Sequence, residues 1–482
     1  MNTHSVRRQA ARRLTSALSR LAAASLIALL AGCAGPAGHT ANTTAKPGDD
    51  QRLAQASVAA QLPAGAGAAA DTPAPDWRAV VQSPRLRQWV TLALQHNRDL
   101  VVALANVQRA QAQLGIADAN RLPTVGAGLT AARAPNSKGA EATSLSAGVQ
   151  LSSWEIDLFG RLASLSDAAR AQWLATEAGR RAAELTLVAG VLQAGLALQA
   201  DDELLALARQ ALDSREQTLK LTQLRETAGA ASLLELQAQQ TLALQARATL
   251  AQLTRQQAQD ANALALLLGQ PVAVTGLAAG NNASLADESW LAEVPAGLSS
   301  AVLLRHPDVI SAEQTLVAAQ ANIGAARAAL WPSITLTAQA GQAAPQLAGL
   351  FAGGNFVYAL ATSALITVFD AGRRQANVAV AQAAQAVAQA QYERAIQAAF
   401  RDTADALAGL ATWRAQLAAQ TAQRDVARDI ARLTELKASQ GAASALERLD
   451  AQRALFAAEQ AVVQVRLGEL NNRVALFKAL GR

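Results

Sequence analysis

A chain that repeats itself has fewer folds open to it than its 482 residues would suggest, because each copy must build the same elements in the same order. Asp99–Pro123 (DLVVALANVQRAQAQLGIADANRLP) matches Asp308–Pro332 (DVISAEQTLVAAQANIGAARAALWP) at a constant offset of 209, and Gln111, Ala112 and Gly115 recur as Gln320, Ala321 and Gly324. Downstream the offset becomes 212: Leu221-Thr-Gln-Leu-Arg225 recurs as Leu433-Thr-Glu-Leu-Lys437, Gly229-Ala-Ala-Ser232 as Gly441-Ala-Ala-Ser444, and Leu268-Gly269 as Leu480-Gly481. The body is therefore two copies of one unit, over residues 77–269 and 306–482, joined by a linker at 270–305.

Proline placement says what each unit is made of. None of the 13 prolines falls between Pro135 and Pro271 or after Pro345, and inside those gaps Arg161–Ala228 and Arg373–Gln440 each run for 68 residues rich in Ala, Leu, Gln, Glu and Arg. These are strong helix formers, and at 1.5 Å per residue each segment would make a helix of roughly 90–100 Å. A glycine turn follows each, so two long antiparallel hairpins are expected. The predicted helices span about 95–120, 160–228 and 230–268 in the first unit and about 308–330, 372–440 and 442–480 in the second. The chain is 51% hydrophobic but only 3% aromatic, so Ala and Leu carry its apolar content. Rows such as Leu204, Leu205, Ala208, Ala211 and Leu212 bring small residues to one face, where they let helices approach closely.

Before each long helix the period changes from helical to alternating. Ser144–Leu151 (SLSAGVQL) and Ser333–Ala340 (SITLTAQA) alternate cleanly, Thr124–Ala131 does so more weakly, and Phe356–Val368 is apolar on both faces for much of its length. Strands are expected over about 121–133, 143–156, 332–341 and 356–369, paired through loops containing Pro135 and Pro345. Their length and pattern fit a membrane barrel as well as a small soluble hairpin packed on the helices. Four strands cannot close a barrel, because an open edge in lipid leaves backbone groups unpaired. A dimer would supply eight strands and a trimer twelve.

The N-terminus carries an address. Arg7, Arg8, Arg12, Arg13 and Arg20 precede Leu21–Leu30 (LAAASLIALL), an apolar run too short to span a bilayer but right for a secretory signal peptide over residues 1–32. The run ends in Leu30-Ala31-Gly32-Cys33, which resembles the lipobox of bacterial lipoproteins. That resemblance implies S-diacylglycerol and an N-acyl chain on Cys33, and Ala34 in place of Asp implies sorting to the outer membrane. Residues 33–76 would then be a lipidated N-terminus and flexible tether, rich in Ala, Gly, Pro and Thr. The 42 basic residues against 36 acidic ones lose their excess once those five arginines are removed, leaving 37 against 36. A near-neutral body gives no reason to expect nucleic acid. A single cysteine excludes an internal disulfide framework and multi-cysteine zinc.

The body resembles the TolC-like outer-membrane efflux family, in particular the OprM-like lipoproteins of tripartite drug-efflux pumps. The resemblance rests on His96-Asn-Arg-Asp-Leu100, Trp154-Glu-Ile-Asp-Leu-Phe-Gly-Arg161, Glu293-Val-Pro-Ala-Gly-Leu298, Arg305-His-Pro-Asp308, Ile323-Gly-Ala-Ala-Arg-Ala328, Leu449-Asp-Ala-Gln-Arg453 and Leu476-Phe-Lys-Ala-Leu-Gly481. It implies a mainly α protein with membrane β: a homotrimer whose long hairpins form a periplasmic α-barrel and whose strands form a twelve-stranded outer-membrane β-barrel. It further implies a periplasmic adaptor and an inner-membrane RND transporter as partners, outer-membrane lipids around the barrel, and a passive duct for drugs or other toxic small solutes. No enzymatic activity, cofactor or metal is expected. Girdle aromatics are sparse for the family, with Trp154, Trp331, Phe351, Phe356, Tyr358 and Phe369 as candidates.

By the same resemblance the hairpin turns lie at the periplasmic aperture. The candidate gate residues are Leu221, Gln223 and Arg225 in the first hairpin and Asp429, Leu433, Glu435 and Lys437 in the second, with Leu433 and Glu435 as the constriction and Arg225 or Lys437 as the latch. The alternative is that they are solvated helix-end charges. Gly229, Ser232, Gly441 and Ser444 supply the tight reversal and the cap of the returning helix, and by family analogy meet the adaptor. Asp201-Asp202, on a polar helix stretch, reads as solvated. Gly126-x-Gly128-x-x-Ala131 lies inside a strand pattern and is not a dinucleotide loop. Rival readings are a lipid-anchored periplasmic coiled-coil protein, or a channel for heavy metals or secreted protein. The only methionine is Met1, which removes the thioether ligands of a copper-binding tunnel.

Overall fold

A computed structural model of the chain describes residues 76–135, 139, 141–271, 284–286, 290–292, 300–351 and 353–481. Cys33, the signal peptide, the tether and most of the 270–305 linker lie outside the described residues. The elements are α1 (Trp77–Val80), α2 (Pro84–His96), α3 (Arg98–Ala119), β1 (Val125–Pro135), β2 (Glu141–Ile156), α4 (Arg161–Thr227) and α5 (Leu233–Leu268) in the first repeat. A 3₁₀ turn at Ser300–Arg305 leads into α6 (Pro307–Ala328), β3 (Ser333–Ala344), β4 (Phe356–Leu365), α7 (Arg373–Ser439) and α8 (Ala445–Ala479) in the second. Helices α4 and α7 are each 67 residues long.

Some boundaries differ from expectation, each for a local reason. The helix expected from about 95 starts at Arg98, because Asn97 is extended (φ −62, ψ 129) and its side-chain oxygen caps Leu100 N at 3.0 Å. A separate helix, α2, precedes it, with Pro84 at its first turn, where a missing N–H costs nothing. The same Asn97 donates Nδ2–H to Leu267 O at 2.9 Å, tying the start of α3 to the end of α5. Gly269, at φ +69, lets the chain pass over His96, since a Cβ there would sit 2.3 Å from His96 O. Strand β1 covers 125–135 instead of 121–133 and holds Pro135 as its last paired residue, opposite Glu141. Proline is admissible there because β1 is an edge strand. Strand β4 stops at Leu365, short of the expected 369, and β3 runs on to Ala344.

Helix α4 packs against α3, α5, α6 and α8, and α7 against α6 and α8. In α4 the buried row Ala168, Ala171, Ala175, Ala178 steps by three and four along one face, and Ala318 and Ala325 are buried in α6. Small residues let the backbones close in. The Ser311 hydroxyl accordingly reaches Ala175 O at 3.0 Å. The principal core is a belt where α1, α2, the middle of α4 and the C-terminal ends of α5 and α8 meet Leu285, Trp290 and Leu291. Gly195 makes room for Trp89, as a Cβ would lie 2.9 Å from its ring. An 18-residue apolar window in α4 passes the length and composition test for a membrane span, but over half of it is buried among these neighbours. Burial in the hairpin accounts for its apolarity.

Candidate functional site: sheet face and hairpin tips

The four strands form one antiparallel sheet in the order β1-β2-β3-β4, which leaves β1 and β4 as edges without a partner among the described residues. Residues opposite one another share a face, so register sorts the side chains. Val125, Leu129, Val149, Leu151, Ala338, Ala340, Tyr358 and Leu360 fall on one face. Gly126, Thr130, Ser146, Gln150, Thr337, Gln339 and Ser363 fall on the other. One face is thus mainly apolar, with Arg133, Glu141 and Gln342 toward its far end, and the other mainly small and polar, with Val357 and Leu365 as its large apolar members. A bulge between Leu151 and Trp154, with Ser153 at φ 44, inserts one residue into β2. Without it Trp154 would point to the polar face; with it Trp154 pairs with Leu336 and rejoins the apolar one. Its indole donates to Arg121 O at 3.1 Å, so the ring is held at the end of the sheet nearest the helices. Phe159 and Trp331 stack nearby with centroids 5.5 Å apart.

Each strand-to-helix joint is built from an Asp and a Gly-Arg pair. Asp157 accepts Ala163 N at 2.7 Å, and Arg161 forks onto Glu155 with bonds of 2.9 and 2.5 Å. That fork, outweighing burial, raises the Arg161 guanidinium above its ordinary range. In the second repeat Asp370 accepts the N–H groups of Gly372 and Arg374, both at 3.1 Å. Gly160 (φ +73) and Gly372 (φ +84) sit at the N-caps of the two long helices in a conformation other residues resist.

At the opposite ends of α4 and α7 the turns are near copies. Ala230 N bonds Arg225 O at 2.7 Å and Ala442 N bonds Lys437 O at 2.8 Å, around Gly229 and Gly441 at φ +71 and +74. This is the Schellman arrangement, which satisfies the last helical carbonyls. Ser232 accepts Glu235 N at 3.1 Å, and Ser444 accepts Glu447 N at 3.1 Å while Glu447 accepts Ser444 N at 2.7 Å. The Ser444 N–H and then its hydroxyl, with Lys437 adding a smaller push, hold the Glu447 carboxyl below the usual range.

The candidate gate residues occupy the last turns before these reversals. Arg225 lies 3.6 Å from Glu235 and Glu435 lies 3.6 Å from Arg448, so each ion pair spans its own hairpin. Asp429 is 3.6 Å from Arg432 on the same helix. Leu221, Gln223, Leu433 and Lys437 are exposed in the single chain. Leu221 and Glu435 also line a groove of about 550 Å³ between the hairpins, with Arg215, Arg448, Phe456 and Glu459. Val426, Ile430 and Leu433 continue along α7 at spacings of four and three, each close to half exposed or more. Sequence reasoning missed Arg448 and Glu235, whose i-to-partner spacing crosses a turn and leaves no periodic trace. It also placed Asp201 in solvent; the structure buries it, because α5 covers that face of α4 and brings Asp260 against it.

Residues 89–270 and 298–482 match the model of the outer membrane efflux protein family. The chain belongs to that family. It is 39% identical to the toluene efflux pump outer membrane protein TtgC of Pseudomonas putida, over 90% of this chain and 91% of that one. A crystal structure of a membrane protein from Pseudomonas aeruginosa superposes with a TM-score of 0.80 at 36% identity, covering 87% of this chain and 95% of that one. The open state of the MtrE outer membrane channel of Neisseria gonorrhoeae gives 0.76 at 33% identity, covering 86% and 93%. The chain is thus the outer-membrane channel component of an efflux system, and its fold is the mainly α, part-β architecture expected of TolC-like channels. In such a channel a mainly apolar sheet face suits contact with lipid and a small polar face suits a water-filled lumen. Leu360→Arg should cost about 2–4 kcal/mol of insertion into lipid vesicles, whereas Ser363→Arg should insert normally and change conductance instead. Equal insertion of the two variants would contradict this assignment of faces.

Proposed function

We propose that three copies of the chain close into one conduit that carries small toxic organic solutes through the outer membrane. The observation that carries this reading is the pair of open edges on β1 and β4. In lipid each unpaired N–H and C=O costs several kcal/mol, so the edges must meet another copy, and three copies give twelve strands. The unpartnered row Val426, Ile430, Leu433 on α7 supports the same closure among the helices, since it has the spacing of a helix–helix seam. The duct is passive. An adaptor and an inner-membrane RND transporter supply the drive and choose the cargo, and the relative named as a toluene pump component supports organic solutes as that cargo.

In this reading Leu433 and Glu435 narrow the periplasmic end, with Leu221, Gln223 and Asp429 beside them, and Arg225 or Lys437 latches it. Threefold symmetry gathers each residue into a ring of three, where like charges repel unless paired. The bonds Arg225–Glu235 and Glu435–Arg448 are the resting contacts that opening would exchange. Glu435→Ala and Lys437→Ala should raise single-channel conductance in planar bilayers several-fold. Unchanged conductance in both would remove them from the gate, and a wild-type protein silent in bilayers would favour the lipid-anchored coil.

The tips Gly229, Ser232, Gly441 and Ser444 are the proposed adaptor contact, where small side chains leave room for a partner helix. Ser232→Cys and Ser444→Cys should crosslink to the adaptor in an assembled pump, and no adduct at either would count against the contact. Cys33 is proposed to carry the diacylglycerol and N-acyl chains that anchor the N-terminus, at roughly 0.8 kcal/mol per buried CH₂. Cys33→Ser should abolish incorporation of labelled palmitate while wild type is labelled; an unlabelled wild type refutes the anchor.

A further inference from the structure

The first hairpin holds a pair of carboxyl groups that neither the pore nor the gate uses. Asp201 on α4 is only 6% exposed, and its Oδ2 has no hydrogen-bond partner among the described residues. Helices α4 and α5 pack along each other here, where Gln257 of α5 donates to Asp202 of α4, and half-buried Asp260, one turn beyond Gln257, presents the carboxyl group that acts on Asp201 most strongly. Two ionised carboxylates in that position would repel, and a buried anion would lack a donor. One proton removes both faults at once, because a protonated carboxyl becomes a donor to its neighbour.

Among the described residues nothing supplies a substitute for the proton. The charges that act on Asp201 are those of Asp260 and Asp202, both acids. Asp202 accepts from Gln257 Nε2, Glu203 accepts from Leu285 N, and Gln256 donates to Asp260 Oδ2 at 3.0 Å. Among the bases of the packed elements, Arg85 of α2 donates to Gln199 Oε1 at 3.4 Å. Arg466 of α8 donates to Leu285 O at 3.2 Å and lies 3.6 Å from Glu469, which also pairs with Arg473. Arg209 on α4 and Arg255 on α5 are exposed. The second repeat provides an internal comparison. At the offset of 212, Asp201 and Asp260 become Trp413 and Asn472. The Asn472 amide donates to Ala406 O at 2.9 Å and needs no proton to do so.

We propose that Asp201 and Asp260 share one proton and act as a pH-dependent clamp between α4 and α5, closed in acid and loosened when both ionise. The clamp sits beside the core belt, next to buried Leu204 and Leu264, so its state governs how firmly the first hairpin is held there. Burial is the main influence, with the Asp260 hydrogen bond and charge and then the Asp202 charge adding to it, and together they push Asp201 up to about 7. A carboxyl raised above its unfolded value contributes fully in acid. That contribution fades as pH climbs from the ordinary carboxylate range and is gone once pH has passed through about 7.

Hydrogen exchange of the full-length protein in detergent, corrected for intrinsic rates, tests the clamp. In peptides containing Asp201 or Asp260, protection should fall several-fold between about pH 6 and about pH 8 in wild type. Asp201→Asn and Asp260→Asn should both abolish that fall, because an amide donates to the remaining carboxylate at every pH. Wild-type protection that does not change, or an equal fall in both variants, overturns the proposal. Should the variants fail to assemble, infrared spectra of wild type labelled with ¹³C-carboxyl aspartate decide. A protonated aspartate band that titrates away near neutral pH is expected, and its absence overturns the clamp.

Discussion

Two strand edges without partners govern much else in this molecule. The sheet of β1 to β4 satisfies its interior backbone groups and leaves two rows of N–H and C=O groups open, which water tolerates and hydrocarbon does not. Four strands with two open edges do not close in lipid, and the duplication places four strands in one chain where a single unit would place two. The long helices answer a separate requirement. A wall that continues the barrel below the membrane needs segments that run the length of the tunnel without interruption, and absence of proline is the condition for that.

Small side chains set how such a wall closes. The alanine row of α4 against α6 brings backbones close enough for a serine hydroxyl to reach a carbonyl on the neighbouring helix. Glycines at 195 and 468 admit Trp89 and Trp413 against helical backbone, Trp89 within the core belt. The strand-to-helix joints and the tips repeat this economy, with left-handed glycines taking the sharp changes of direction and Asp or Ser satisfying the first turn of each helix that follows.

What could be read without coordinates was whatever leaves a local trace. The duplication, the proline-free segments, the alternating strands and the glycine turns each depend on residues a few positions apart. The misplaced features depend on partners far along the chain. Asp201 looks solvated because its own neighbours are polar; α5 returning across it is what buries it and sets Asp260 against it. Asn97 caps α3 locally, but its second bond, to Leu267 O, is visible only when the end of α5 is beside it. Trp154 reaches the apolar face through a bulge, and a two-residue alternation carries no mark of the residue that interrupts it.

The sequence by itself determined the two-fold repeat, the order of strands and helices within each copy and the hairpin reversals, because these rest on backbone preference and short-range periodicity. Only the tertiary structure decided which faces of the sheet match, which charges at the tips pair within a hairpin, and which carboxyl group loses its water. Those outcomes are set by register and by the return of one long helix along another, where a shift of a single residue turns every side chain to the opposite side.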